Sequence, residues 1–182
     1  MRGITAETLR NWHRNHPGNM GTGPGQIPGR VSELTEDHAL RILKEDVYDA
    51  YKLARITDDR LAHQLTDILT HTSPRGSDDA PGGAYQMVQR AINDVMSRNS
   101  LYNRHEKPFA YDHPADPLGP RTLGRLNWLI STGYGPELRN ALVAHRFGYA
   151  RTQPNLYGLN RGWNDRFGRF TEWEHTPIGN VE

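Results

Sequence analysis

From Ala84 to Met96 the chain sets Ala84, Met87, Val88, Ala91, Ile92, Val95 and Met96 at intervals of three and four residues, a broad apolar stripe. Only an α-helix brings such positions to one side, because side chains repeat every 3.6 residues there and every second residue in a strand. The same spacing recurs in Ala39, Ile42, Leu43, Val47, Ala50, Tyr51 and Ala54, and again in Leu61, Leu65, Ile68 and Leu69. Thr35 before Glu36-Asp37, and Asp58-Asp59, are the matching start signals. The first of these two stripes predicts a helix of about five turns from Ser32. A further helix is expected from Thr5, which caps a first turn bearing Glu7 and leads to Leu9 and Trp12. Others start at Pro120 and Pro136, and a last one carries Leu159, Trp163, Phe167 and Phe170. No segment alternates with period two over a useful length, so the expected fold class is all-α, with about seven helices and long Gly/Pro-rich loops.

Breakers divide these helices. Residues 17–30 hold five glycines and three prolines in 14 positions, too many for a regular element. The run from Ser73 to Gly83 is a second loop. Residues 99–118, rich in Asn, His, Pro and Asp, form a long connection of a kind that is usually functional.

Composition removes several function classes. The 182 residues contain 22 Lys+Arg, 21 Asp+Glu and no Cys. A net charge of +1 supplies no long-range attraction for a polyanion, so no nucleic-acid partner is expected. Without Cys there is no disulfide, thiolate nucleophile or Cys-ligated zinc. No apolar run reaches the roughly 18 residues that span a bilayer, and the N-terminus has no apolar signal core. The reading is cytoplasmic synthesis without a signal peptide and no transmembrane segment. Ser73, Ser77, Ser97, Ser100 and Ser131 lack a Gly-x-Ser-x-Gly setting. His13 with His16, and His105 and His113 with Asp112 and Asp116, read as solvated histidines, since no ligand spacing supports a metal; no metal and no cofactor are expected. The tail from Arg146 to Trp173 interleaves aromatics with arginines. Leu159, Trp163, Phe167 and Phe170 share one helical face, which reads as a core stripe, with a sugar-stacking surface as the alternative.

Several motifs in order along the chain resemble one family. They are Gly3-Ile4-Thr5 with Leu9; Leu34-Thr35-Glu36 leading to Tyr48 and Tyr51; Asp67 followed by Gly82-Gly83-Ala84; Val88-Gln89-Arg90-Ala91-Ile92-Asn93; Asp116-Pro117-Leu118-Gly119-Pro120-Arg121-Thr122-Leu123; Arg146-Phe147-Gly148-Tyr149; and Gly162-Trp163-Asn164-Asp165-Arg166. Together they resemble the lysozyme-like N-acetylmuramidases of glycoside hydrolase family 108 with their C-terminal peptidoglycan-binding region. The resemblance implies a lysozyme-like helical domain, with residues 1–98 as the muramidase portion and 99–182 as the peptidoglycan-binding portion, packed as one compact unit. It implies peptidoglycan glycan strands as partner, with Thr5, His71, Gln89, Arg146, Tyr149, Trp163 and Arg166 as substrate-binding residues. Virion or secretion-apparatus proteins are further partners it suggests, in a phage-encoded or bacterial protein acting at the cell wall or within a virion particle.

The chain also departs from that pattern. The family's general acid is a Glu in a Glu-Gly-Gly segment upstream of Gly-Ile-Thr, whereas Met1 lies two residues before Gly3. Position 71 holds His in place of Asn, and the loop from Ser73 to Gly83 is longer than the family's turn. Hydrolysis of a glycoside needs a carboxylic acid to protonate the leaving oxygen, a contribution of about 10²–10⁴-fold. Glu7 and Asp67 are the catalytic candidates within the chain. Two readings therefore stand: a muramidase-like endolysin or secretion-type protein whose acid is supplied by Glu7, a partner chain or an upstream frame, and a catalytically inactive structural or peptidoglycan-binding component.

Overall fold

The computed structural model describes residues 4–72, 76–77, 80–81, 83–103, 107–109, 118–152 and 168–170. Among them the chain is mostly α-helical, with six α-helices and a single pair of two-residue strands. Its internal contacts divide it into two compact units, Met1–Ala54 and Arg55–Glu182.

The first unit opens with α1, Ala6–Asn15, whose first turn is capped by Thr5: its Oγ1 accepts the Thr8 amide at 3.1 Å. Leu9 and Trp12 are buried one turn apart. The glycine- and proline-rich segment after it is an irregular loop, as its breakers demand, yet it closes on itself. Ile27 donates its amide to the Asn19 carbonyl at 2.8 Å, and its own carbonyl accepts the Gly21 amide at 3.1 Å. This local pairing places the Ile27 side chain, fully buried, in a core with Ile4, Leu9, Trp12, Ala39 and Ile42. α2, Glu36–Leu43, begins at a capping box in which Thr35 Oγ1 accepts the His38 amide and the His38 ring accepts the Thr35 amide.

The expected five-turn α-helix stops short. From Lys44 to Asp49 the backbone continues as a π-helix. Its wider turn pairs Lys44 Nζ with Asp49 Oδ2, five residues on, at 2.5 Å, and that partner pushes the Lys44 ammonium up. The slower rotation per residue buries Val47 while Glu45 and Asp46 reach α1. Lys52, with φ of 55°, then turns the chain.

In the second unit Asp58 caps α3, Asp59–His71, accepting the Leu61 amide at 3.0 Å. β1, Gly76–Ser77, pairs antiparallel with β2, Ala80–Pro81, inside the second expected loop. α4, Ala84–Arg98, buries nine of its residues, including every member of the apolar stripe read from the sequence. α5, Pro120–Ser131, starts with proline in its first turn, where the missing N–H costs nothing. α6, Gly135–Thr152, packs against α3, α4 and α5. The boundary expected between residues 98 and 99 falls inside this unit, because α4 shares its core with the two helices that follow. The helix expected to carry Leu159, Trp163 and Phe167 lies outside the described residues. No helix among the described residues is long and apolar enough to cross a membrane.

Candidate functional site

The seam between α3 and α6 is polar at positions where a helix pair usually places aliphatic side chains. Asp58, Gln64, Asp67 and His71 lie along α3 and its cap, and Arg139 and Arg146, two turns apart, lie along α6. Arg139 pairs with Asp58. Gln64, fully buried, donates Nε2–H to the Arg139 carbonyl at 3.0 Å, while its Oε1 has no partner among the described residues. Arg146, only 2% exposed, pairs with Asp67. His71 lies one turn beyond Asp67, its Nδ1 2.8 Å from the Asp67 carbonyl oxygen and 3.6 Å from Asp67 Oδ1. The carbonyl can only accept, so Nδ1 carries the hydrogen.

Burying ions this deeply costs several kcal/mol each unless partners offset it, so the cluster is an expensive feature for a plain helix contact. It joins an anion, a cation and a titratable ring at the C-terminal end of α3. Arg146 neutralises the Asp67 carboxylate, and a carboxylate held by a guanidinium orients its neighbours more readily than it releases a proton.

Three residues singled out from the sequence, Asp67, His71 and Arg146, are thus brought together across 79 positions of chain. Gln89 is buried on α4. Tyr149 is half-buried on α6, and burial pushes its phenol up from the ordinary value. Thr5 serves as the α1 cap and Glu7 is exposed in the first turn of that helix, both within the first unit. Trp163 and Arg166 lie outside the described residues.

Two clusters escaped the sequence reading. On α4, Asn93 clamps the backbone of Phe109: its Oδ1 accepts the Phe109 amide at 2.9 Å and its Nδ2 donates to the Phe109 carbonyl at 3.2 Å, with Tyr102 Oη also donating to Oδ1 at 2.8 Å. Arg121 and Arg125 lie over the Phe109 ring at 5.0 and 4.6 Å and both donate to the Lys107 carbonyl. The Asn in Gln-Arg-Ala-Ile-Asn was the available signal, since a polar residue inside an apolar stripe needs partners once buried. In the first unit, His13 and His16, expected to be solvated, are half-buried and pack on the buried Trp12. His16 stacks on the indole at 4.6 Å, and His13 meets it edge-on at 5.2 Å. Trp12 and His16 sit four apart, on one helix face, which was the legible sign. Among the described residues no group of three His, Asp or Glu side chains is arranged to hold a metal ion.

What these residues define is a mostly α-helical protein with a cluster between α3 and α6 of a buried guanidinium, a half-buried carboxylate and a half-buried imidazole. Comparison of the chain with family models, curated proteins and solved structures returns no match.

Proposed function

We propose that this chain is a peptidoglycan-directed, muramidase-like protein. The observation that carries the proposal is the pairing of Asp67 with Arg146, with His71 one turn beyond Asp67; Asp67 and Arg146 belong to motifs separated in the sequence and resembling the same family. Residues that belong to one site are expected to meet in this way. In this reading Asp67 and Arg146 are positioning residues that hold the end of α3 against α6, and His71 stands beside the glycan-binding side of the cluster. The target is the glycan strand of the cell wall, reached from within a lysing cell or as part of a particle.

A second reading, a lysozyme-like binding or structural component without hydrolytic activity, is favoured by one observation: Asp67 already carries a guanidinium partner. A pair engaged in this way has no proton to give a leaving sugar oxygen.

Muropeptide release from purified peptidoglycan, run alongside retention on the insoluble polymer in moderate salt, separates the two. Release that falls about 10²–10⁴-fold in Glu7→Gln would identify a hydrolase whose acid is in α1. Retention without release would identify the binding component, and neither release nor retention would overturn the peptidoglycan-directed reading.

A further inference from the structure

In the second unit Lys107, Pro108 and Phe109 are held against α4, α5 and Tyr102 in the manner of a bound peptide. Asn93 Oδ1 accepts the Phe109 amide at 2.9 Å, and Asn93 Nδ2 donates to the Phe109 carbonyl at 3.2 Å. One side-chain amide thus makes the two bonds that a neighbouring strand would exchange with this residue. Tyr102 Oη, donating to Asn93 Oδ1 at 2.8 Å, helps fix which end of the amide faces which. Arg121 Nη2 and Arg125 Nη2 converge on the Lys107 carbonyl at 2.8 and 2.9 Å. Arg125 is itself buried and also lies over the Tyr102 ring at 5.8 Å, so part of this seat is ordered by groups other than the segment it holds.

Each of these hydrogen bonds to the segment ends on a main-chain atom, which any sequence supplies. Pro108, between the two bonded residues, has no N–H to satisfy, and Lys107 and Pro108 are both exposed. The residue read by its side chain is Phe109, 7% exposed, with Arg125 and Arg121 over its ring at 4.6 and 5.0 Å. An aromatic ring beneath guanidinium groups gains a cation–π attraction that an aliphatic residue does not. Main-chain bonds for affinity and one side-chain pocket for specificity are the division of labour of a peptide-recognition surface.

We propose that α4, α5 and Tyr102 form a receptor for a protein segment of the form x-Pro-aromatic, and that Lys107-Pro108-Phe109 is its tethered occupant. Asn93 reads the main chain of the anchor residue, Arg121 and Arg125 read the carbonyl two residues before it, and the same two arginines select an aromatic ring. A tethered occupant has an effective concentration of about millimolar order, so a free segment of the same chemistry takes the seat once the tethered anchor is lost or displaced. The receptor is independent of the peptidoglycan-directed reading.

The test uses the full-length chain and a capped, fluorescently labelled peptide, Glu-Lys-Pro-Phe-Ala-Tyr, copied from residues 106–111. By fluorescence anisotropy the peptide is expected to bind Phe109→Ala at least about tenfold more tightly than the wild type, whose own segment excludes it. The same peptide with Ala in place of Phe should not bind. Arg121→Gln, added to Phe109→Ala, removes an exposed guanidinium that meets both the ring and the Lys107 carbonyl, and should weaken binding by about threefold or more. No binding to either chain, equal binding to both, binding of the Ala peptide, or indifference to Arg121→Gln would each overturn the receptor. If Phe109→Ala does not fold alone, the peptide's effect on it decides: recovery of helical circular dichroism on adding the peptide upholds the receptor, and no recovery refutes it.

Discussion

Arg146 shows how much one side chain can depend on another far along the chain. Its guanidinium, 2% exposed, has Asp67 as an ionic partner, and removing one member of a buried pair leaves the other's desolvation uncompensated. Arg146→Met should therefore lower unfolding free energy by about 3–5 kcal/mol in urea denaturation, whereas combining it with Asp67→Leu should recover most of the loss. An additive double mutant would mean the two charges do not depend on each other. Asp46 behaves in the opposite sense. Its carboxyl is raised in the folded state, chiefly by burial, so the folded chain holds that proton more readily than the unfolded one. The ionised form thus costs stability above the folded value, and the cost fades as pH falls toward the ordinary carboxylate range. Asp46→Asn is expected to hold or raise Tm at pH 7, and that advantage should disappear near pH 3.5. A fall in Tm at pH 7 would show that the His16 contact outweighs the burial. At this scale the Asp67 and His71 spacing was legible as one helix face, but Arg146 stands 79 positions away, and no local rule links them.

Among the elements, two helix ends use the same hydrogen-bond pattern with different residues. After α5, the amide of Gly133 donates to the Ile130 carbonyl and that of Tyr134 to the Leu129 carbonyl, with Gly133 at φ of 92°. After α4, Ser100 and Leu101 repeat the pattern onto Ser97 and Met96, but Ser100 takes φ of 54° with a side chain attached. This left-handed position favours glycine, so Ser100→Gly should stabilise the chain by about 1 kcal/mol, read as a shift in the urea midpoint with unchanged m-value. Gly133 carries its own stop signal, since glycine is the residue that takes this conformation without strain. Ser100 carries none, because the composition of residues 99–118 signalled a long loop without showing how the helix before it ends. The π-helix at 44–49 was equally hidden. Its apolar residues follow ordinary helical spacing, and the contacts that accompany the wider turn, Glu45 with Trp12 and Lys44 with Asp49, are made by polar side chains.

For the whole molecule, the burial pattern predicts where the second unit is hardest to open. α4 has nine buried residues and packs on both α5 and α6, while Trp128 on α5 remains 42% exposed. Native-state hydrogen exchange should find the slowest amides of residues 55–152 in the middle of α4, from Val88 to Val95, and faster exchange at the solvent face of α5. Equal protection of the two helices would refute the ordering. The sequence alone determined the helical class, most of the caps and breaks, and the identity of the α4 core, because these follow from local propensity and a 3.6-residue period that any segment carries within itself. Only the tertiary structure decided the division after Ala54, the clamp on Phe109, the stacking of His16 on Trp12 and the pairing of Asp67 with Arg146. These depend on which faces meet in space. A periodic pattern states that a face is buried without stating against what, and a charge enters a core only when a distant partner is already there to receive it.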